Sequence, residues 1–139
     1  YAMRWKIETF HKILKSGSKA EESKLRTSDR VARLVAVLCI VGWRVFWLTM
    51  STRTDPSAPV SQALTHLECE ILDQLVRENS TAKNPNRTIG VYLKKLARLG
   101  GYLARNSDPP PGNMVIWRGM SRLNDIHLGA LLGVRLMGN

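Results

Sequence analysis

The chain is expected to be all-α, and three observations carry that expectation. Apolar residues recur every three or four positions through most of its 139 residues. No stretch alternates apolar and polar residues long enough to make a strand. Four segments rich in Gly, Pro, Ser and Asn divide the rest into five pieces of helical length.

The first helix is expected over about residues 1–15, stopped by Gly17 and the polar loop SGSKAEES. Thr27-Ser28-Asp29 then supplies an N-cap for a second helix over about 29–51. Its apolar run LVAVLCIVGW, bounded by Arg33 and Arg44, is too short by itself to span a bilayer and reads as a buried core segment. No membrane partner is expected. STRTDPSAP, with Pro56 and Pro59, is a candidate boundary between residues 1–54 and 55–139.

The second part opens with Thr65-His66-Leu67-Glu68, which matches a capping box for a helix over about 65–78. NSTAKNPNR is a loop. Thr88 precedes a fourth helix over about 88–105, with Ile89, Tyr92, Leu93, Leu96 and Leu103 inward and Gly100-Gly101 within or ending it. NSDPPPGN is stiff, because three prolines fix successive φ angles. A last helix covers about 113–137.

The formal net charge is +10, which points to an anionic partner. Residues 1–54 hold 11 Lys/Arg against 4 Asp/Glu, net +7, and residues 55–139 hold 10 against 7, net +3. Cys39 and Cys69 are far apart among apolar neighbours, as expected of reduced thiols in a cytosolic protein. Neither they nor His11, His66 and His127 form a metal-ligand spacing. A chain that opens on Tyr1 inside a helical pattern reads as part of something longer.

On the first helix, at about 100° per residue, Tyr1, Arg4, Glu8, Lys12 and Lys15 share one face, flanked by Trp5 and His11. Met3, Ile7, Phe10 and Leu14 form the opposite, apolar face and are expected to be buried. Glu8 therefore stands in a basic stripe, with Arg4 one turn before it and Lys12 one turn after. One reading is a solvated face with ion pairs of about 0.3–0.5 kcal/mol each. The other is a carboxylate that holds a divalent metal among cations that grip phosphates, the pairing that phosphoryl transfer needs.

Tyr1-x-x-Arg4-x-x-x-Glu8-x-x-x-x-x-x-Lys15 resembles the Y-R-E-K signature of bacterial Asp-Asp-Glu cut-and-paste transposases of the insertion-sequence-four group, Tn-five type. The likeness extends through MRWKIETFHKILKSG and to LTHLECEIL, ARLGGY and Trp117-Arg118-Gly119. It implies that residues 1–54 are the terminal helices of a ribonuclease-H-like catalytic core and that residues 55–139 are a helical dimerisation domain. Glu8 would be the last acid of a metal-binding triad using Mg²⁺ or Mn²⁺ in the complete enzyme. Tyr1, Arg4 and Lys15 would grip the transposon end, with Trp5 and Lys12 as supporting DNA contacts. The partners implied are transposon-end DNA and a second transposase, in a bacterial cytoplasm near the nucleoid.

The departure from the family is large. The two catalytic Asp residues belong on strands ahead of Tyr1, whereas Asp29, Asp55, Asp73, Asp108 and Asp125 fall in caps, loops or helices. One carboxylate does not make a two-metal site, so this chain alone should bind no metal firmly and cut no DNA. The alternative function is a non-catalytic truncated transposase that dimerises with the full-length enzyme and inhibits it, or an inactive relic. A basic helical nucleic-acid binder of another kind is the third.

The last helix bears on association. Ile116, Met120, Leu123, Ile126 and Ala130 can pack on the fourth helix, but from Ile126 onward the helix is apolar nearly all round. Gly129 and Gly133 lie one turn apart, where small residues let two backbones approach. They either accommodate the fourth helix within one chain or, with Ile126 and Leu132, form the crossing of a homodimer.

Overall fold

The computed structural model describes residues 3–18, 22–76 and 87–138. Among them are five α-helices and a short 3₁₀ turn at Val60–Gln62, with no strand. The helices are α1 (Arg4–Ser18), α2 (Ser28–Thr54), α3 (His66–Leu75), α4 (Ile89–Leu99) and α5 (Asn113–Met137). The chain is all-α, as its periodicity predicts. Tyr1 and most of the NSTAKNPNR loop lie outside the described residues.

Local chemistry explains where the helices begin and end. The Thr65 hydroxyl accepts from the Glu68 amide at 3.3 Å and the Glu68 carboxylate accepts from the Thr65 amide at 2.8 Å, closing the capping box of α3. Thr88 precedes α4 but makes no side-chain cap. The first amides of α4 are met instead by the preceding linker: Ile89 N–H donates to the Ala58 carbonyl and Gly90 N–H to that of Pro56. α4 ends several residues before the expected position 105. Gly101 adopts φ +101°, the Gly101 amide donates to Arg98 O, and the Tyr102 amide donates to Ala97 O. That pair of bonds is a Schellman motif, which needs a residue without Cβ at the left-handed position. Leu103 is consequently exposed, not inward.

One hydrophobic cluster draws on every helix. Ile13, Val45, Leu48, Leu72, Ile89, Tyr92, Leu96, Ile116, Met120 and Leu123 are fully buried in it. α4 and α5 cross at backbone contact. A Cβ on Gly100 would lie 1.8 Å from Val115 O, and one on Gly119 would lie 2.0 Å from Leu96 O. These two glycines, not Gly129 and Gly133, accommodate α4; a Cβ at either of the latter would meet nothing within 4 Å among the described residues. Trp117 anchors the other side of α5, 6% exposed. Its ring lies against Gly17 of α1 and Gly42 of α2.

The N-terminal helices depart from expectation. On α1 only Ile13 is fully inward. Phe10 and Leu14 are half-buried, while Met3 and Ile7 are 66% and 56% exposed. The helix is thus rotated toward its 10–13–14–17 edge, because the contact it makes is with Trp117 and α2. α2 runs well past the ten-residue apolar stretch at both ends and contains an 18-residue window of mean hydropathy 1.9, long and apolar enough by composition to cross a membrane. Only 22% of that window is buried. Val45, Phe46 and Leu48 enter the core, whereas Val31, Val35, Val37 and Ile40 are exposed. The expected buried core helix is therefore covered along one end only.

Candidate nucleic-acid interface

α1 carries its basic stripe on the side away from Ile13. Arg4, Trp5, Glu8, Lys12 and Lys15 are all exposed. Arg4 Nε donates to Glu8 Oε1 at 3.0 Å, and both side chains are largely in solvent. That is one of the two i,i+4 pairs the spacing allows, and such an exposed pair contributes at most about 0.5 kcal/mol. Lys6 Nζ lies 5.9 Å from the Trp5 ring, a cation–π contact that partly orients the indole.

Glu8 has the exposure of a potential ligand but no companions. No group of three or more His, Cys, Asp or Glu side chains among the described residues is placed to hold a metal ion. The donor set for Mg²⁺ or Mn²⁺ is thus a single carboxylate, which does not fit a two-metal centre.

Beside the stripe, α1 and α2 enclose an open groove of about 860 Å³ lined by Met3, Ile7, Phe10, Trp43 and Trp47 among others. Trp43 and Trp47 stack with ring centres 6.3 Å apart. Trp47 Nε1 donates to Gln62 O at 3.1 Å, which fixes its ring. The expectation that α1 buries Met3 and Ile7 fails at this groove, where their apolar surface stays open.

The remaining charged residues mostly hold the fold. Arg44 Nη2 donates to both carboxylate oxygens of Glu68, at 2.8 and 2.9 Å, and Nη1 donates to Asn124 Oδ1 at 3.3 Å. Arg44 is therefore a structural ion pair tying α2 to α3 and α5. Burial by itself would raise the Glu68 carboxyl. The Thr65 amide and the Arg44 guanidinium outweigh that and hold it below the usual carboxylate range. His127 Nδ1 lies 3.9 Å from the same carboxylate.

A second network joins α3 to α4. Asp73 accepts from Lys95 Nζ at 2.7 Å and from Tyr92 Oη at 2.9 Å. Burial, then the bond to Asp73, pushes the Tyr92 phenol up. Lys95 is only 4% exposed, so it does not share the solvent-facing surface of Lys94 and Arg98. Burial raises the Cys69 thiol to about 11, and it stays protonated at neutral pH.

Sequence reasoning identified the Glu68 cap but missed the carboxylate as the hub of three helices. It also missed Gly100 and Gly119 as the helix crossing, for which the only signal is Gly inside a helical pattern. On α5, Ile126, Leu128, Leu131, Leu132, Val134 and Leu136 are exposed. Leu123 is the last buried residue of α5, and Ile126 and Ala130, expected on the inward face, are exposed. No family model matches the chain.

Proposed function

We propose that this chain is the C-terminal part of an Asp-Asp-Glu DNA transposase. In this reading Glu8 is the third metal-binding acid, the α1 face contacts transposon-end DNA, and the end of α5 pairs two transposases. The observation that carries the reading is the α1 face. Arg4, Glu8 and Lys15, in the spacing of the Y-R-E-K signature, stand exposed on a single helical surface with Lys12 beside them. The open apolar groove beside it supports the same reading, because terminal helices of a larger core would present such a surface to that core. Mg²⁺ or Mn²⁺ would belong to the complete enzyme. With one carboxylate in the donor set, no reaction step is assigned to this chain alone.

The end of α5 favours a second reading, a truncated transposase that pairs with the full-length enzyme and inhibits it. Exposed leucines and two open glycines give it a partner surface without a catalytic site.

DNA binding tests the α1 assignment. A labelled 30-base-pair duplex should bind with affinity that falls steeply with salt and depends little on sequence. Arg4→Ala with Lys12→Ala should reduce the slope of log K against log salt by about 2, near 0.9 for each lost phosphate contact. A double variant that binds with the wild-type slope refutes the α1 face as the DNA contact.

A further inference from the structure

We infer that Glu8 is an internal competitor for the phosphates that α1 binds. Its carboxylate holds Arg4 in the free chain, and DNA gains Arg4 only by breaking that pair. The inference rests on the reading of α1 as the DNA-contacting face, and adds to it a residue that limits affinity.

The cations of the stripe are not equivalent. Arg4 donates through Nε to Glu8 Oε1 at 3.0 Å. Lys12 stands one turn beyond Glu8 and, among the described residues, makes no ion pair. One acid thus divides the stripe into a cation already engaged and a cation open to solvent.

The engaged pair is easily broken. Its side chains are 73% and 64% exposed, so water and salt screen the attraction. Arg4 uses one donor on one carboxylate oxygen. The cation also lies N-terminal to the acid, the weaker of the two orientations on a helix. A phosphate offers the same guanidinium two parallel acceptors and so displaces the carboxylate. Once Arg4 has moved, Glu8 is left beside the bound phosphates, and like charges at that spacing repel. Both effects have one sign. Each lowers the affinity of the α1 face, and neither changes how many phosphates it contacts.

Fluorescence anisotropy of the full chain with a mixed-sequence duplex at low salt measures the competition. Glu8→Gln keeps the size of the side chain and removes its charge. It should bind about two- to four-fold more tightly than wild type. The slope of log K against log salt should not change, because counterion release follows the number of phosphate contacts. Arg4→Ala should cost about two-fold more in the Glu8→Gln background than in wild type, whereas Lys12→Ala should cost the same in both. Glu70→Gln, on α3, alters the net charge equally but away from the stripe, and should bind as wild type. Equal gains from Glu70→Gln and Glu8→Gln would reduce the effect to net charge and overturn the proposal. A Glu8→Gln variant that binds as wild type, while the Arg4→Ala, Lys12→Ala variant loses slope, overturns it too and leaves the α1 face as the DNA contact. An Arg4→Ala, Lys12→Ala variant with the wild-type slope refutes the α1 face itself, and this inference with it.

Discussion

Glu68 shows how much one side chain decides. It caps its own helix through Thr65, receives both contacts from Arg44, and is almost completely buried. A buried carboxylate is tolerated because its oxygens are satisfied and its charge is paired. Its folded pKa lies below the ordinary value near 4.5, so the stability it contributes is present above that value. That stability is lost as pH falls through the lower, folded value. Thermal melts should therefore show the wild type losing stability below about pH 4.5, with Glu68→Gln giving a flatter acid limb. At pH 7 the variant should be less stable by about 2–3 kcal/mol. This is below the 3–5 kcal/mol of a fully buried broken pair, since Arg44 reaches solvent. A wild-type acid limb as flat as that of the variant would remove Glu68 from this role.

At the scale of the element, α5 divides in two. Its first half is core: Ile116, Trp117, Met120 and Leu123 are buried, and Gly119 permits the crossing with α4. Its second half projects with apolar side chains on several sides, Val134 at 75% and Leu136 at 80% exposed. Gly129 and Gly133 cost the helix about 1 kcal/mol each relative to Ala, and among the described residues nothing packs on them to offset it. A second α5 crossing at those glycines would, because it lets the backbones touch and covers Ile126 and Leu132. Light scattering should find a dimer at tens of micromolar, and Gly133→Asp should give a monomer with unchanged helical circular dichroism. A monomeric wild type, or a dimeric variant, rules out this crossing.

For the whole molecule, charge and apolar exposure point the same way. The net charge of +10 raises affinity for any polyanion. α1, α2 and α5 also leave many large apolar side chains exposed, among them Met3, Ile7, Ile40, Leu128, Val134 and Leu136, the kind of surface a partner covers. With one exposed Glu as its donor set on α1, the chain should not cleave DNA by itself under the proposed reading. Incubation of duplex DNA with the chain and Mg²⁺ or Mn²⁺ should leave the strands intact, for wild type and Glu8→Ala alike. Metal-dependent nicking that disappears in Glu8→Ala would mean that one acid suffices here.

By itself the sequence determined the five helices and the capping box at Thr65 and Glu68. The first follow from periodicity and the second from a short-range hydrogen-bond pattern. The exposed set Arg4, Glu8, Lys12 and Lys15 was legible for the same reason, since residues three, four and seven apart must share a helical face. Orientation was not legible. Which edge of α1 is buried depends on where Trp117 lies, a residue a hundred positions away. Whether Lys95 belongs to a basic patch or to the interior depends on Asp73 across the α3–α4 contact. Which glycines admit a neighbouring backbone depends on where α4 meets α5. These are contacts between elements remote in sequence, set by how five apolar faces share one interior, and no local pattern encodes them.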